Sequence, residues 1–389
     1  MFFQNPNHFF KSCLFVLLSI VFAEGFYPEQ GWSQQNNLPP SRRVFSADLD
    51  QDGSDELLIA HNTTLTAFRY LGGDLGWSKL WSHDGPGVVQ SVLRDERIPS
   101  LIVAWGMGKG KMVAPSTVSA LEPLSGQRRD LWTFKGGRSQ IVNLQLVQLD
   151  NDPELELLIA HFVSKYHTRR VILDQLSSPQ PQAIESAQIR MATSWLIADL
   201  DGKAGLEEVI GRVYGDEKGE YGDLSIQTFN LNGSQVKVGQ IIPSERGLKT
   251  MRVLSSSQGQ YLYFSDGWVA AYGKKAKATL KRLYWSKGRI NVERLADSPD
   301  EFTFFDIWYR IDPNSKRELW FTHGNKGINL IIPNSYGPWT VKRLLKTAPI
   351  VNAAIAYAGN QWWAFLPSEK GTQVKPMTLP SPEKTSTKQ

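Results

Sequence analysis

Two stretches of sequence lie 100 residues apart and read almost alike: residues 49–61 are LDQDGSDELLIAH and residues 149–161 are LDNDPELELLIAH. Each begins with an acidic turn and ends in the same six residues, ELLIAH. A short apolar run that follows turn residues is typical of a buried β-strand. Identity over six consecutive residues indicates an internal repeat, which is the sequence signature of solenoids and propellers.

Further copies of this pattern divide the whole chain into units. A third copy occupies residues 199–210, a weaker fourth occupies residues 312–321, and three degenerate copies fill the gaps. Seven anchors result, with steps of 45 to 56 residues, at positions 50, 95, 150, 201, about 256, 312 and about 358. Four short strands with their turns need about 40–50 residues, which is one propeller blade. The sequence therefore predicts an all-β fold, a seven-bladed β-propeller over residues 41–374.

The remaining pattern agrees with a closed ring of blades. No long stretch shows helical periodicity, and Gly, Asn and Asp punctuate short β-rich runs. A single blade leaves both faces apolar, whereas radial packing covers the faces and protects the strand edges. Tryptophans recur near the ends of the units, and we expect them at blade-ending positions: Trp81, Trp132, Trp285 and Trp339.

The two ends of the chain have different compositions. Residues 1–25 resemble an export signal, with an apolar run over 13–23 that is too short to span a bilayer and a cleavage site before Phe26. The alternative is an uncleaved membrane anchor. Residues 26–40 are interpreted as a leader that can add a ring-closing strand, and residues 375–389 as a disordered tail rich in Pro, Ser, Thr and Lys.

Composition limits the compartment and the partners. The chain has 389 residues, a formal net charge of +5 and a single cysteine, Cys13. Without a dense basic stripe it is not predicted to bind nucleic acid. An export signal followed by a chain without further cysteine indicates a bacterial source and a periplasmic, cell-surface or secreted location. We expect a monomer whose only route to membrane contact is an uncleaved N-terminal segment.

The acidic turn at residues 48–56 has the pattern of a cation-binding loop. Acids stand at positions 1, 3 and 5, Gly at position 6, a backbone carbonyl at position 7 and Glu at position 9. Oxygen ligands in this number suit Ca²⁺ better than Mg²⁺. The alternative is a metal-free polar turn whose acids accept backbone N–H groups. The candidate ligands are Asp48, Asp50, Asp52, the carbonyl of Ser54, and Glu56.

This pattern resembles the FG-GAP or VCBS repeat of integrin-α-like seven-bladed propellers. Residues 118–132 are more similar to the tryptophan-docking repeat of pyrroloquinoline-quinone-type propellers. The first resemblance implies Ca²⁺ in the blade loops. In the second copy Gln148 and Pro153 replace the first acid and the Gly, which leaves a weaker site formed by Asp150, Asp152 and Glu156. The third copy keeps Asp199 and Asp201, but Lys203 replaces the third acid.

Several hypotheses about function remain open at this stage. Motifs of serine hydrolases, Walker nucleotide-binding proteins and Rossmann dehydrogenases are lacking. His61 and His161 occupy equivalent repeat positions. Duplication of the repeat explains this equivalence better than a catalytic role does. We expect a non-enzymatic propeller that binds a protein or glycan partner on one face, with loops 105–116 and 214–223 as candidate contacts. The alternatives are a carbohydrate-active lyase or hydrolase with acids in the central channel, and a cell-envelope assembly scaffold.

Overall fold

The computed structural model describes residues 38–380, apart from 107–115, 135–139, 151, 165–166, 187, 191, 217–218, 232–237, 245–247, 257–258, 267–277, 300–305, 325–326, 335–336 and 348–351. The predicted export signal and all but the last three residues of the predicted leader therefore lie outside the described residues. In the described part of the chain, the helical structure is one 3₁₀ turn at Gly73–Leu75. No helix there is long and apolar enough to cross a membrane.

The strands form seven antiparallel sheets in chain order, each a blade. Blades 1 to 3 are β1 Arg43–Ala47, β2 Glu56–His61, β3 Thr64–Tyr70 and β4 Trp77–Asp84; β5 Val88–Leu93, β6 Leu101–Gly106, β7 Ser116–Leu121 and β8 Arg128–Phe134; β9 Gln140–Val147, β10 Glu156–Phe162, β11 His167–Asp174 and β12 Gln182–Glu185, with β13 Ile189–Arg190 paired to β11.

The other four blades continue the same order. They are β14 Ala192–Ala198, β15 Glu207–Asp216, β16 Gly219–Thr228 and β17 Val238–Ser244; β18 Leu248–Ser256, β19 Gly259–Asp266, β20 Thr279–Ser286 and β21 Arg289–Asp297; β22 Asp306–Ile311, β23 Glu318–Gly324, β24 Gly327–Ile332 and β25 Thr340–Lys346; β26 Ala354–Ala358, β27 Gln361–Leu366 and β28 Gln373–Met377. The prediction of an all-β, seven-bladed propeller is confirmed.

The central LLIA of the repeated run is apolar throughout because both faces of the strand are buried between blades. In blade 1, Leu58 and Ala60 pack in a core cluster with residues of blade 2, including Trp105. Leu57 and Ile59 point to the other face, where they pack with Phe365 of blade 7 and its neighbours. A strand covered on both faces reads as a continuous hydrophobic run and does not alternate. The second strand of a blade is therefore the strand that sequence identifies best.

The ring closes between blade 7 and the start of blade 1. β1 packs against β26, and the N–H of Val44 donates to the carbonyl of Asn352 at 3.2 Å. The N–H of Thr372 donates to the carbonyl of Pro39 at 3.0 Å, so the last described residues of the predicted leader contact blade 7. The rest of the leader, for which a ring-closing strand is predicted from sequence, lies outside the described residues.

The boundary placed at residue 374 is too early. β28 continues to Met377, where it pairs with Trp362, and the side chain of Met377 is buried. Leu379 also packs against the blade 7 core. The Pro, Ser, Thr and Lys composition suggested a disordered tail, but backbone pairing to β27 determines the structure here. Residues 381–389 lie outside the described residues.

Antiparallel order within each blade sends its connections alternately to two faces of the disc. The connections from first to second strand and from third to fourth strand emerge on one face, which we name the turn face. All seven sequence anchors fall at the first connection of a blade or at the strand end beside it. The acidic turns of blades 1, 3 and 4 therefore share the turn face.

Candidate functional site

The first acidic turn, residues 48–55, joins β1 to β2 and is held by its own amides. The carboxylate of Asp48 accepts the N–H of Asp52 at 3.2 Å and that of Gly53 at 2.9 Å. The carboxylate of Asp52 accepts the N–H of Ser54 at 2.7 Å. Gly53 has a φ of 88°, which favours glycine at this reversal. Side-chain oxygens that bond nearby amides preorganise the turn.

A second contact recurs in all three acidic turns. The glutamate that begins the second strand accepts the N–H of a leucine seven residues earlier, at the start of the turn. The distances are 2.8 Å for Glu56 and Leu49, 2.6 Å for Glu156 and Leu149, and 2.8 Å for Glu207 and Leu200. This glutamate therefore closes the turn through one carboxylate oxygen.

The structure brings together some of the predicted ligands and leaves others apart. Carboxylate oxygens within 4.8 Å of one another belong to Asp48, Asp50 and Glu56 in blade 1, to Asp150, Glu156 and Asp174 in blade 3, and to Asp199, Asp201 and Glu207 in blade 4. Asp52 and Asp152 are not members of these clusters; the carboxylate of Asp52 accepts the N–H of Ser54, and that of Asp152 accepts the N–H of Glu154. Sequence reasoning missed Asp174 and Glu207.

A guanidinium group occupies the first cluster. Arg69, near the end of β3, pairs with Asp50 through Nη2 and with Oε1 of Glu56 through Nε at 3.3 Å. The residue before it, Phe68, pairs with Leu57 across the sheet, which places Arg69 beside Glu56. The first turn therefore contains a positive charge supplied by the protein at the position where the resemblance implies Ca²⁺.

The other two blades have different residues at the position that Arg69 occupies in blade 1. In blade 3, Leu173 pairs with Leu157, so the equivalent of Arg69 is Asp174. In blade 4, Thr228 stands opposite Glu207, and the cation comes from Lys203, whose Nζ lies 2.9 Å from Asp201. The same Nζ lies 4.8 Å from the ring centroid of Trp285 in blade 5. At this position blade 3 thus has an additional acid, blade 1 has a cation and blade 4 has a neutral residue.

Burial changes the protonation of the turn-closing glutamates. The pKa of Glu56 is raised to about 7: desolvation is the largest cause, the charge of Asp50 adds to the rise, and the bonds from Leu49 and Arg69 oppose it. Burial also raises the pKa of Glu156 and of Glu207, helped in each case by a neighbouring aspartate. Each of these sites therefore favours a neutral acid or a nearby cation over a bare carboxylate.

The first turn is also fixed to the ring closure. The N–H of Asp55 donates to the carbonyl of Tyr357 at 2.7 Å, and the N–H of Tyr357 donates to the carboxylate of Asp55 at 2.8 Å. Burial raises the pKa of Asp55, and the charge of Arg310 on β22 lowers it. Asp55 therefore serves as a link between blades 1 and 7.

Tryptophan docking is present, but between blades. The indole Nε1–H of Trp81 on β4 donates to the carbonyl of Pro123 at 2.7 Å in the β7–β8 turn of blade 2. Gly126 in that turn lies against the indole, and a Cβ there would meet the ring at 2.9 Å. Trp81 and Trp132 lie on fourth strands as expected, whereas Trp285 lies on the third strand of its blade, so its predicted position is wrong.

Five of the seven large exposed apolar side chains of the described residues lie on the turn face. Four leucines lie in third-to-fourth connections of blades 1, 2 and 4, with exposures of 37% to 75%: Leu71, Leu75, Leu124 and Leu231. Ile311, which is 55% exposed, ends β22 on the same face. The other two large exposed apolar residues of the described chain, Ile241 and Val292, lie on outer strands.

The loops expected from sequence to make contacts are different ones. Most of 105–116 lies outside the described residues. Residues 214–223 belong to the β15–β16 hairpin, which is paired as far as Asp216 and Gly219 and reaches the face opposite the acidic turns. The exposed leucines carried no sequence signal that singled them out, because single apolar residues in loops are common.

The first strands of the blades pack against one another around the centre of the ring. Over their described lengths these inner strands contain one acid, Asp306, and no histidine. Side-chain amides join them instead: Gln145 on β9 donates to the carbonyl of Ile197 on β14 at 2.7 Å and accepts its N–H at 2.9 Å. The inner strands therefore carry residues suited to packing and bridging.

Comparison with known proteins gives the fold. No family model matches the chain, and no curated protein matches it. Among solved structures it is similar to BBS1N, determined in complex with ARL6DN, with a TM-score of 0.53 and 13% sequence identity. The match covers 90% of this chain and 96% of that chain. The chain is a seven-bladed β-propeller, and its likeness to FG-GAP and VCBS repeats remains a resemblance carried by the acidic turns.

Proposed function

We propose that this propeller is an exported, non-enzymatic binding protein that docks a protein partner on its turn face. The observation that carries the proposal is that four exposed leucines from three blades lie on the face that also bears the acidic turns. Rigid strands hold these connections in place, which is how many scaffolds present a binding surface.

The chemistry of the turn face favours a partner that is both apolar and basic. Connections 48–55, 148–155 and 199–206 together carry nine acids and one base, Lys203. Exposed apolar side chains bordered by polar groups mark interaction sites, and charge complementarity orients the partner. Leu75, at 75% exposure, is the most accessible of these anchors.

Two further observations support the binding class over the enzyme class. The solved propeller BBS1N was determined in complex with a protein, ARL6DN. A glycan lyase or hydrolase needs paired acids or a histidine and an acid in its site, and the described inner strands supply only Asp306. A glycan partner and an envelope scaffold both remain compatible with a binding face, and the experiments below separate them.

The test compares turn-face variants with outer-strand variants of matched size. Leu75→Ser/Leu124→Ser is expected to lose partners recovered by cross-linking and purification from the producing cell. Ile241→Ser/Val292→Ser removes similar apolar area from β17 and β21 and is expected to retain them. Equal recovery by both double variants would contradict the proposal. Binding of the unmodified chain to a glycan array, undiminished by Leu75→Ser/Leu124→Ser, would favour the glycan alternative.

Export is proposed from the composition of residues 1–25. Cell fractionation with mass spectrometry of the mature N-terminus tests export, and we expect the chain to begin at Phe26 outside the cytoplasm. An intact Met1 terminus in a membrane fraction would support the uncleaved anchor. Recovery of the intact chain in the cytoplasm would contradict export altogether.

A further inference from the structure

We propose that the residue beside the turn-closing glutamate on the third strand decides how the turns of blades 1 and 3 are neutralised: Arg69 supplies the cation in blade 1, and Asp174 binds Ca²⁺ in blade 3 together with Asp150 and Glu156. In blade 4 this position is the neutral Thr228, and Lys203 of the turn supplies the cation. This inference concerns the metal chemistry of the turns and does not depend on the proposed partner.

Blade 1 already contains its cation. Arg69 pairs with both Asp50 and Glu56, and its guanidinium satisfies the second oxygen of the buried Glu56. Glu56 is only 1% exposed, so its carboxylate lies almost out of water. A buried carboxylate is stable when it is paired and hydrogen-bonded. A metal ion here would have to displace Arg69 or lie beside its positive charge, and both are unfavourable.

Blade 4 reaches the same result from within its turn. The Nζ of Lys203 lies 2.9 Å from Asp201, and the Trp285 ring stabilises the same ammonium from the neighbouring blade. The third turn therefore has its own counter-ion, although it is more exposed than the first.

Blade 3 has acids and an unsatisfied buried oxygen. Glu156 is 2% exposed; its Oε2 accepts the Leu149 amide, and its Oε1 has no hydrogen-bond partner in the described structure. Asp150 and Asp174 place carboxylate oxygens within 4.8 Å of this group and of each other. Three carboxylates this close repel one another, and a shared cation removes the repulsion. Buried polar atoms normally have a partner, so this oxygen indicates a ligand.

The chemistry of the blade 3 cluster fits Ca²⁺. Ca²⁺ accepts six to eight oxygen ligands in flexible geometry, and carboxylates with water molecules can supply them. Asp150 is exposed, which leaves a route for the ion and room for water, whereas Glu156 fixes the inner side of the site. Asp174 comes from β11 and lies outside the turn, so the ligand set differs from the loop pattern that the sequence suggested.

Calcium titration of the chelator-treated full chain by calorimetry, with melts in Ca²⁺ and in chelator, tests the proposal. We expect one site per chain and a melting temperature a few degrees higher in about 10 mM Ca²⁺. Asp174→Asn is expected to abolish both effects, whereas Asp50→Asn, which changes the blade 1 counterpart of Asp150, is expected to leave both unchanged. Asp150→Asn provides a second test at an exposed position, and circular dichroism in chelator checks that each variant is folded.

Two exchanges test the role of the deciding position itself. Asp174→Arg gives blade 3 the residue that blade 1 has at this position, and we expect the variant to bind no Ca²⁺. We also expect its melting temperature in chelator to lie near that of the natural chain loaded with Ca²⁺. Arg69→Asp copies blade 3 into blade 1, and we expect a second Ca²⁺ per chain. No binding by the natural chain would overturn the proposal. Binding that is lost in Asp50→Asn and retained in Asp174→Asn would overturn it in favour of the first turn.

Discussion

His61 and His161 show how one repeat position can have two different environments. His61 is exposed beside a tight hairpin, whereas His161 is fully buried with its ring 4.9 Å from those of Trp132 and Phe134. Burial, with a smaller effect from the charge of Arg169, lowers the pKa of His161 to about 4. Repeat duplication accounts for the shared residue type, and packing between blades accounts for the difference in burial.

The buried His161 predicts a loss of stability in acid. Its folded pKa lies below the unfolded value of about 6.5, so its contribution is complete above that pH and is lost as pH falls towards 4. We expect the free energy of unfolding of His161→Phe to fall less than that of the natural chain between pH 7 and 4.5, by roughly 1–3 kcal/mol. Denaturant titrations at both pH values measure it. His61→Phe is the exposed control, and identical profiles for His161→Phe and the natural chain would contradict the prediction.

Gly126 is required by the Trp81 indole as well as by its own backbone. Its φ is 71°, and an added Cβ would lie 2.9 Å from the ring. Gly202 has a φ of 68° with nothing within 4 Å of an added Cβ, so it separates backbone strain from crowding. We expect Gly126→Ala to lower the free energy of unfolding by roughly 1–3 kcal/mol more than Gly202→Ala does. If denaturant titrations gave equal losses of unfolding free energy for the two variants, crowding by the indole would contribute nothing and the prediction would be wrong.

At the scale of elements, blades 3 and 4 are joined by a buried ion pair. Arg170 on β11 and Glu208 on β15 meet at 2.6 Å, with side-chain exposures of 3% and 6%. The indole of Trp195 and the amide of Gln227 donate to the same carboxylate at 2.8 Å and 2.6 Å, and Arg170 also donates to the carbonyl of Asn230 at 3.0 Å. This network fixes the relation of two blades without a covalent link.

Removing the acid alone should be costly. Glu208→Gln leaves the charge of Arg170 buried without its partner, and we expect a loss of about 3–5 kcal/mol in the free energy of unfolding. Adding Arg170→Met should restore most of that loss, because the remaining amide still accepts the Trp195 N–H. The exposed pair of Arg97 and Asp95 is the control, where Arg97→Gln should cost less than about 1 kcal/mol. Similar losses at both pairs in denaturant titrations would contradict this account.

The repeat predicted the blades far better than it predicted the contents of the acidic turns. Thirteen residues separate Glu56 from Arg69, and the residue at the same distance after Glu156 is Arg169. Arg169 pairs with Glu185, and Asp174 takes the position beside Glu156, because the hairpin between β10 and β11 is longer than its counterpart in blade 1. The difference in hairpin length was the sequence signal that could have identified Asp174. Aligning the two copies without it places Arg169 in the blade 3 site.

At the scale of the whole molecule, sequence identified seven units because the second strand of a blade is buried on both faces. It did not identify how the ring closes, since Asp55 meets Tyr357 and Thr372 meets Pro39 across more than 300 residues of sequence. The sequence also did not identify the turn face as the face that carries most of the exposed leucines. These features depend on the arrangement of the blades in the ring, which the positions of the strands in the sequence do not define.

The measurement that tests the central claim most directly is site-specific photo-cross-linking in the producing cell. A photoreactive residue is placed on the turn face at Leu75 or Leu124, or on the outer strands at Ile241 or Val292, all exposed positions. We predict that both turn-face sites give the same discrete protein adduct and that the outer-strand sites do not. Adducts confined to the outer strands, or none at either turn-face site, would contradict a binding function for this face.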